Sequence, residues 1–137
     1  METYRAISTK RDTRRYEDRP IPEDVLVRVL RAGRIAGSAK NAQPVRLVVV
    51  REQEQKERLA ACGQFTPHLP KAAAAVVIVL LPEGAPGAPF AIFRGPFDAG
   101  RAAQNIMLAA WDKGVTSCPV SMHDAECARM VLGLPEG

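Results

Sequence analysis

Four cations stand within seven residues at Lys10-Arg11-Asp12-Thr13-Arg14-Arg15-Tyr16. Ammonium and guanidinium groups donate hydrogen bonds to oxyanions, and the planar fork of arginine matches phosphate. Alone, such a stretch also reads as a solvated basic loop. A second segment, Gly37-Ser38-Ala39-Lys40-Asn41-Ala42-Gln43-Pro44, adds a hydroxyl and two carboxamides to small residues. It exposes backbone N–H groups and can hold a phosphate or a polar heteroaromatic edge. The same residue types make ordinary turns. Ser38 has no neighbouring histidine and no elbow motif, so it is not read as a nucleophile. Asp98 is placed to cap the apolar stretch that follows it, or to sit in its first turn. Gln104 and Asn105 within that stretch need hydrogen-bond partners. In Gly114-Val115-Thr116-Ser117-Cys118-Pro119-Val120-Ser121, Cys118 reads as a small buried hydrophobe before it reads as a reactive thiol. His123 beside Asp124 reads as a surface histidine, not a catalytic base.

Regular elements must carry these segments. Thr3 to Lys10 reads as a short helix and Arg11 to Arg19 as a charged loop. Pro22 suits a first helical position, with Glu23 and Asp24 at the positive dipole end. Val25, Leu26, Val29, Leu30 and Gly33 continue that helix to about Ala36. Val45 to Val50 reads as a buried strand, Glu52 to Cys62 as a polar helix with Leu59 and Ala60 inward, and Gly63 to Pro70 as a loop. Ala72 to Leu81 is a continuous apolar run whose β-branching predicts a fully buried strand. Pro82 to Pro89 reads as an irregular surface loop. Phe97 to Lys113 is the longest helical pattern, apolar on more than one face and ended by Gly114. Val115 to Val120 is a third strand candidate, and Asp124 to Leu132 a last helix. This order predicts a layered α/β arrangement around a small sheet.

The chain has 137 residues, 47% hydrophobic and 25% charged, which fits one domain with an ordinary globular core. Residues 1–51 hold 12 basic and 6 acidic side chains, against 7 and 9 in the remainder. The basic half favours an anionic partner, either a cofactor phosphate or nucleic acid. Cys62, Cys118 and Cys127 are an odd number without paired spacing, which predicts free thiols in a reducing compartment. His68 and His123 lie far apart, and no metal-ligand spacing occurs, so no metal is expected. The polar start and the short apolar runs predict no signal peptide and no membrane span, hence a cytoplasmic protein.

Taken together, the segments resemble the nitroreductase family of flavin enzymes. Lys10 to Tyr16 with Pro20-Ile21-Pro22 resembles its N-terminal signature. Gly37 to Pro44 resembles its Pro-Ser-Ala-x-Asn-x-Gln-Pro loop. Phe97-Asp98-Ala99-Gly100 with Ala103-Gln104-Asn105 resembles its central helix, and Gly114 to Val120 its Gly-Leu-Gly-Ser-Cys-Pro segment. The resemblance implies an α/β (α+β) sandwich with a small central mixed sheet flanked by helices, forming an intertwined homodimer. It implies FMN held at the subunit interface and ping-pong turnover, with NAD(P)H as donor and a nitroaromatic, quinone or activated alkene as acceptor. By similarity, Lys10 and Arg11 lie near the FMN phosphate and ribityl chain, Asp12 belongs with them to the cofactor-binding residues, and Arg14 stabilises negative charge on the ring. Ser38, Ala39 and Asn41 come from the other subunit, with Gln43 nearby as a further cofactor-binding residue, and the backbone of Val120 and Ser121 lies near flavin N5. No catalytic side chain beyond Arg14 is implied. Val45 stands where the family usually carries Trp, Gly37 where it carries Pro, and Asp12 where many members carry Ser. The family normally continues past the position of Gly137, so residues 1–137 read as a C-terminally short domain. A flavin-binding protein with little turnover is the alternative reading. A small basic nucleic-acid-binding module ranks below it, because no nucleic-acid-binding signature accompanies the basic stretch.

Overall fold

The computed structural model describes residues 1–82 and 91–136. Its elements in chain order are α1 (Thr3–Thr9), α2 (Glu23–Arg34), β1 (Val45–Val50), α3 (Gln53–Ala61), β2 (Ala75–Leu80), α4 (Ala91–Asp112) and α5 (Ala125–Leu132). Short 3₁₀ turns occupy Ala39–Asn41 and Leu69–Lys71.

β1 and β2 pair antiparallel, from Val45 opposite Leu80 to Val50 opposite Ala75. Side chains alternate across a strand, so the two faces carry different residues. Val48, Val50, Ala75 and Val77 meet Leu59, Cys62 and Ala128 on the α3/α5 side. Leu47, Val76 and Ile78 meet Val29, Ile106 and Ala110 on the α2/α4 side. The result is the expected sandwich, with helices on both faces. Both strands pack helices on two sides, which explains their runs of Val and Ile without polar alternation. Yet β2 covers only Ala75–Leu80 and its side chains are half-buried to exposed, so it is not the fully buried strand expected over Ala72 to Leu81. Burying a Leu or Val side chain such as Leu59 or Val50, each 1% exposed, stabilises the fold by about 1.5–3 kcal/mol.

α2 and α4 approach closely because Gly33 has no side chain. A Cβ built there would lie 2.6 Å from Ile106 Cδ1 and Cγ1 and 3.4 Å from Leu47. α2 starts at Glu23, with Pro22 as its cap residue and not its first helical one. Glu23 and Asp24 do occupy the first turn. Asp124 caps α5 by accepting the Cys127 N–H at 2.8 Å. Gly114, at φ +72°, follows the last turn of α4.

Four further expectations are corrected. The sheet among the described residues is a two-stranded antiparallel ladder, not a mixed one. Val115–Val120 is no strand. It makes one isolated parallel bridge, Ser117 to Asp12, because no neighbouring segment runs beside it for longer. α4 begins at Ala91, six residues before Phe97, and includes Pro96. A proline in a second turn removes one helical hydrogen bond, and in sequence it reads as a boundary. Finally, Cys62 and Cys127 form a disulfide with their Cα atoms 5.6 Å apart. Their 65-residue separation gives no spacing signal. Only contact between the C-terminus of α3 and α5 brings them together. Cys118 is free and half-buried. The expected loop at Pro82 to Pro89 lies, after Pro82, outside the described residues. No helix among the described residues is long and apolar enough to cross a membrane.

Candidate functional site

The basic segment and the Gly114–Ser121 segment lie side by side. The Thr13 N–H donates to the Ser117 carbonyl at 3.0 Å, next to the Asp12–Ser117 bridge. This pairing carries Arg14 to Val120 and Ser121, and the three line one cavity of about 250 Å³. Phe65, His68, Pro119 and His123 complete its wall. Arg14 makes no hydrogen bond or ion pair among the described residues, so its guanidinium is available to a ligand. Lys10 is engaged: its ammonium pairs with Asp12 and lies 3.4 Å from Met107 Sδ. Arg11 donates to the carbonyls of Ser8 and Lys10, at 3.0 and 2.8 Å, and meets no carboxylate among the described residues. Tyr16 packs tilted against His68 with ring centroids 6.4 Å apart. Burial raises the Tyr16 phenol above its ordinary pKa, and the Cys118 thiol beside it adds to the rise.

A second set of contacts fixes the far side of this cavity. Gly63 and Met122 form an isolated antiparallel bridge, and the Asp124 N–H donates to the Cys62 carbonyl at 3.0 Å. The Gln64 N–H donates to His123 Nδ1 at 3.2 Å, and Phe65 meets the His123 ring edge-on at 5.9 Å. The Cys62–Cys127 disulfide lies behind these contacts and ties the same two segments covalently.

The Ser38–Gln43 loop is elsewhere. Its Ala39 N–H donates to Asp98 Oδ2 at 3.1 Å. Ser38 Oγ accepts the Gln43 N–H at 2.9 Å, and the Gln43 carboxamide donates to Asn41 Oδ1 at 3.1 Å. Lys40, Asn41 and Gln43 all have positive φ, at 52°, 54° and 47°. Left-handed backbone costs roughly 1–2 kcal/mol per non-glycine residue, and such strain collects at functional loops. Ser38 and Gln43 line a second cavity of about 550 Å³ with Arg31, Arg34, Arg46 and Asp98. The two cavities share no lining residue.

The sequence-predicted residues therefore fall into two groups. Arg14, Val120 and Ser121 converge on the smaller cavity, with Lys10, Arg11 and Asp12 on the adjoining segment. Ser38 and Gln43 border the larger one, with Ala39 and Asn41 in the same loop. Sequence reasoning missed Phe65, His68 and His123 as cavity residues, because nothing in a spacing of 55 residues between the histidines announces contact. It also read Asp98 as a cap. The residue is 3% exposed and instead anchors the loop and faces Arg101 at 3.7 Å. The available signal was a carboxylate set among the small and apolar residues of α4. No group of three metal-ligating side chains occurs among the described residues.

The sequence pattern of the nitroreductase family matches residues 7–137. A protein of Archaeoglobus fulgidus, provisionally named an NADH dehydrogenase/NAD(P)H nitroreductase, is 31% identical over 144 residues. That match covers 98% of this chain and 78% of the relative. The crystal structure of a nitroreductase family protein from Clostridium novyi NT superposes with a TM-score of 0.90 at 23% identity, over 99% of this chain and 78% of that one. The NADPH:FMN oxidoreductase of Vibrio harveyi, solved with NAD⁺, gives 0.87 at 26% identity, over 98% of this chain and 63% of that one. The chain belongs to the nitroreductase family.

Proposed function

We propose that the chain is an FMN-dependent oxidoreductase that takes electrons from NAD(P)H and delivers them to a small organic acceptor, a nitroaromatic, quinone or activated alkene. The observation that carries this reading is the convergence of Arg14 with Val120 and Ser121 on one cavity, across more than 100 residues of sequence. The similarity to an NADPH:FMN oxidoreductase supports it.

The residues present suit the cofactor. An unpaired guanidinium, the Val120–Ser121 segment and a flat aromatic wall line one cavity, a lining that matches a planar heteroaromatic ring with a polar edge. The cavity of about 250 Å³ falls below the roughly 300–1,000 Å³ of whole-ligand pockets. It suits the ring alone, with the phosphate outside it. Arg11, free of carboxylates on the neighbouring segment, would take that phosphate as a charge-assisted hydrogen bond.

FMN, when bound, supplies the redox chemistry, accepting a hydride equivalent and passing electrons on. Arg14 contributes a fixed positive charge at the edge where negative charge would gather, a preorganised stabilisation that needs no rearrangement. Val120 and Ser121 orient the ring through main-chain donors. The Thr13–Ser117 hydrogen bond holds Arg14 and these donors in register. Ser38 and Gln43 border a different cavity, with Ala39 and Asn41 in the same loop, so in this reading all four serve the site of a partner subunit in a homodimer.

The test is an absorbance titration of the purified protein with FMN, followed by anaerobic NAD(P)H. Uptake of FMN with a shifted flavin spectrum, then bleaching, is expected. Arg14→Ala should keep its fold and slow bleaching at least tenfold. A protein that takes up no FMN, or an Arg14→Ala variant that bleaches at the wild-type rate, contradicts the reading.

A further inference from the structure

We propose that His123 is a hydrogen-bond donor of the Arg14–Ser121 cavity, and that its partner is an oxygen atom carried on an aromatic ring. Three observations carry this. First, His123 Nδ1 accepts the Gln64 backbone N–H at 3.2 Å. A neutral imidazole has one donor and one acceptor nitrogen, so an occupied acceptor at Nδ1 leaves the proton on Nε2. The backbone thereby selects a tautomer that presents a donor. Second, Phe65 packs edge-on against the same ring at 5.9 Å and stands 76% exposed beside it. That contact restrains the imidazole and gives the cavity an apolar wall against which a flat ring can lie. Third, Arg14, which lines the same cavity, is a pure donor, and the Ser121 hydroxyl beside it can donate as well. A site with two donors and an aromatic wall selects a ring bearing acceptor oxygens. His68 closes the inner wall, 8% exposed, with no hydrogen-bond partner for its Nε2 among the described residues.

The inference deepens the flavin reading and rests on it for the identity of the ring. Two sources share the required chemistry: the carbonyl edge of FMN itself, or a second substrate carrying a carboxylate, nitro or quinone oxygen. His123 is then a positioning residue for that ring and not a proton carrier.

The experiment follows the imidazole nitrogens of the full chain by ¹⁵N NMR, with His68→Gln and His123→Gln providing assignments. FMN is added alone. Benzoate or benzamidine is then added to the FMN-treated protein. The two probes are alike in shape, but only benzoate offers acceptor oxygens. A His123 Nε2 signal that moves with FMN assigns the donor to the flavin edge. A signal that moves with benzoate and not benzamidine assigns it to the second substrate. In either case His123→Phe, which keeps an aromatic ring against Phe65, should weaken the responding ligand about tenfold, as expected for a hydrogen bond to a polar or charged oxygen. His123→Gln, which retains an N–H, should recover part of that loss. A signal moved by neither FMN nor benzoate overturns the proposal, as does a His123→Phe variant with unchanged affinities. Failure of FMN to bind the wild-type chain removes the flavin reading, while the benzoate arm still decides the donor role of His123.

Discussion

Asp98→Ala should loosen the Ser38–Gln43 loop more than it harms the core. The carboxylate is 3% exposed, and its Oδ2 accepts the Ala39 N–H at 3.1 Å. Oδ1 has no hydrogen-bond partner among the described residues and lies 3.7 Å from Arg101. Removing the side chain orphans the Ala39 N–H and releases Arg101, whose guanidinium already crowds Gly37. A hydrogen bond to a charged group contributes about 1.5–3 kcal/mol. Part of this is offset because a buried carboxylate is no longer desolvated, which leaves a loss of about 2 kcal/mol. A chain of this length has an unfolding entropy of about 0.3 kcal/mol per kelvin, so Tm should fall by ~7 °C. Lys40, Asn41 and Gln43 hold positive φ only while the loop is anchored. Their strain favours opening once the anchor is gone. Amide exchange at Ala39 to Gln43 should therefore accelerate far more than exchange in β1. Asp98→Asn keeps an acceptor of the same shape and should lose less than half as much. The assays are thermal melting and hydrogen exchange by mass spectrometry. An Asp98→Ala protein that melts within ~2 °C of wild type with unchanged loop exchange refutes the anchor. Equal damage from Asn and Ala would show that charge, not the acceptor, is what matters.

Other substitutions probe the packing and the covalent tie. Gly33→Ala gains helix propensity of about 1 kcal/mol but drives a methyl to within 2.6 Å of Ile106. Overpacking of roughly 1–3 kcal/mol should win, so urea melts should show net destabilisation that reverses in an Ile106→Ala background. Reducing the Cys62–Cys127 disulfide opens a loop with a sequence separation of 65, for which chain entropy assigns about 4 kcal/mol. Dithiothreitol should lower Tm by roughly 10–15 °C, and three titratable thiols with unchanged melting would contradict this. Tyr16 has its phenol pKa raised above 10.0 by burial and by Cys118. Its contribution to stability is complete below that pH and is lost as pH rises through the folded value. Tyr16→Phe should flatten the alkaline limb of stability above about pH 10, and an unchanged limb would place the loss elsewhere.

Local elements were legible because their causes are local. The Val-rich runs of β1 and β2, the acids at the start of α2 and the glycine after α4 each act within a few residues. Their ends shifted where a cap or a proline was ambiguous, as at Pro22 and Pro96. The site was legible only in the parts that lie in contiguous motifs. Arg14, Val120 and Ser121 could be named from their segments, but their meeting depends on the Thr13–Ser117 hydrogen bond. Phe65, His68, His123 and the Cys62–Cys127 pair belong to no motif. They are brought together when α3 and α5 pack over one face of the sheet, and long-range packing leaves no spacing to read.

The charge asymmetry also divides once the fold is known. Within the basic first 51 residues, Lys10 pairs with Asp12, Arg19 with Glu17 and Arg51 with Glu23. These pairs neutralise part of the excess where it stands. Among the described residues Arg11 and Arg14 meet no carboxylate; Arg14 lines the smaller cavity, whereas Arg31, Arg34 and Arg46 border the larger one. A single basic stripe of the kind that tracks a nucleic-acid backbone would need these groups on one continuous surface. Their division between two separate cavities, one bearing an aromatic wall, favours two compact anionic groups over a polyanion.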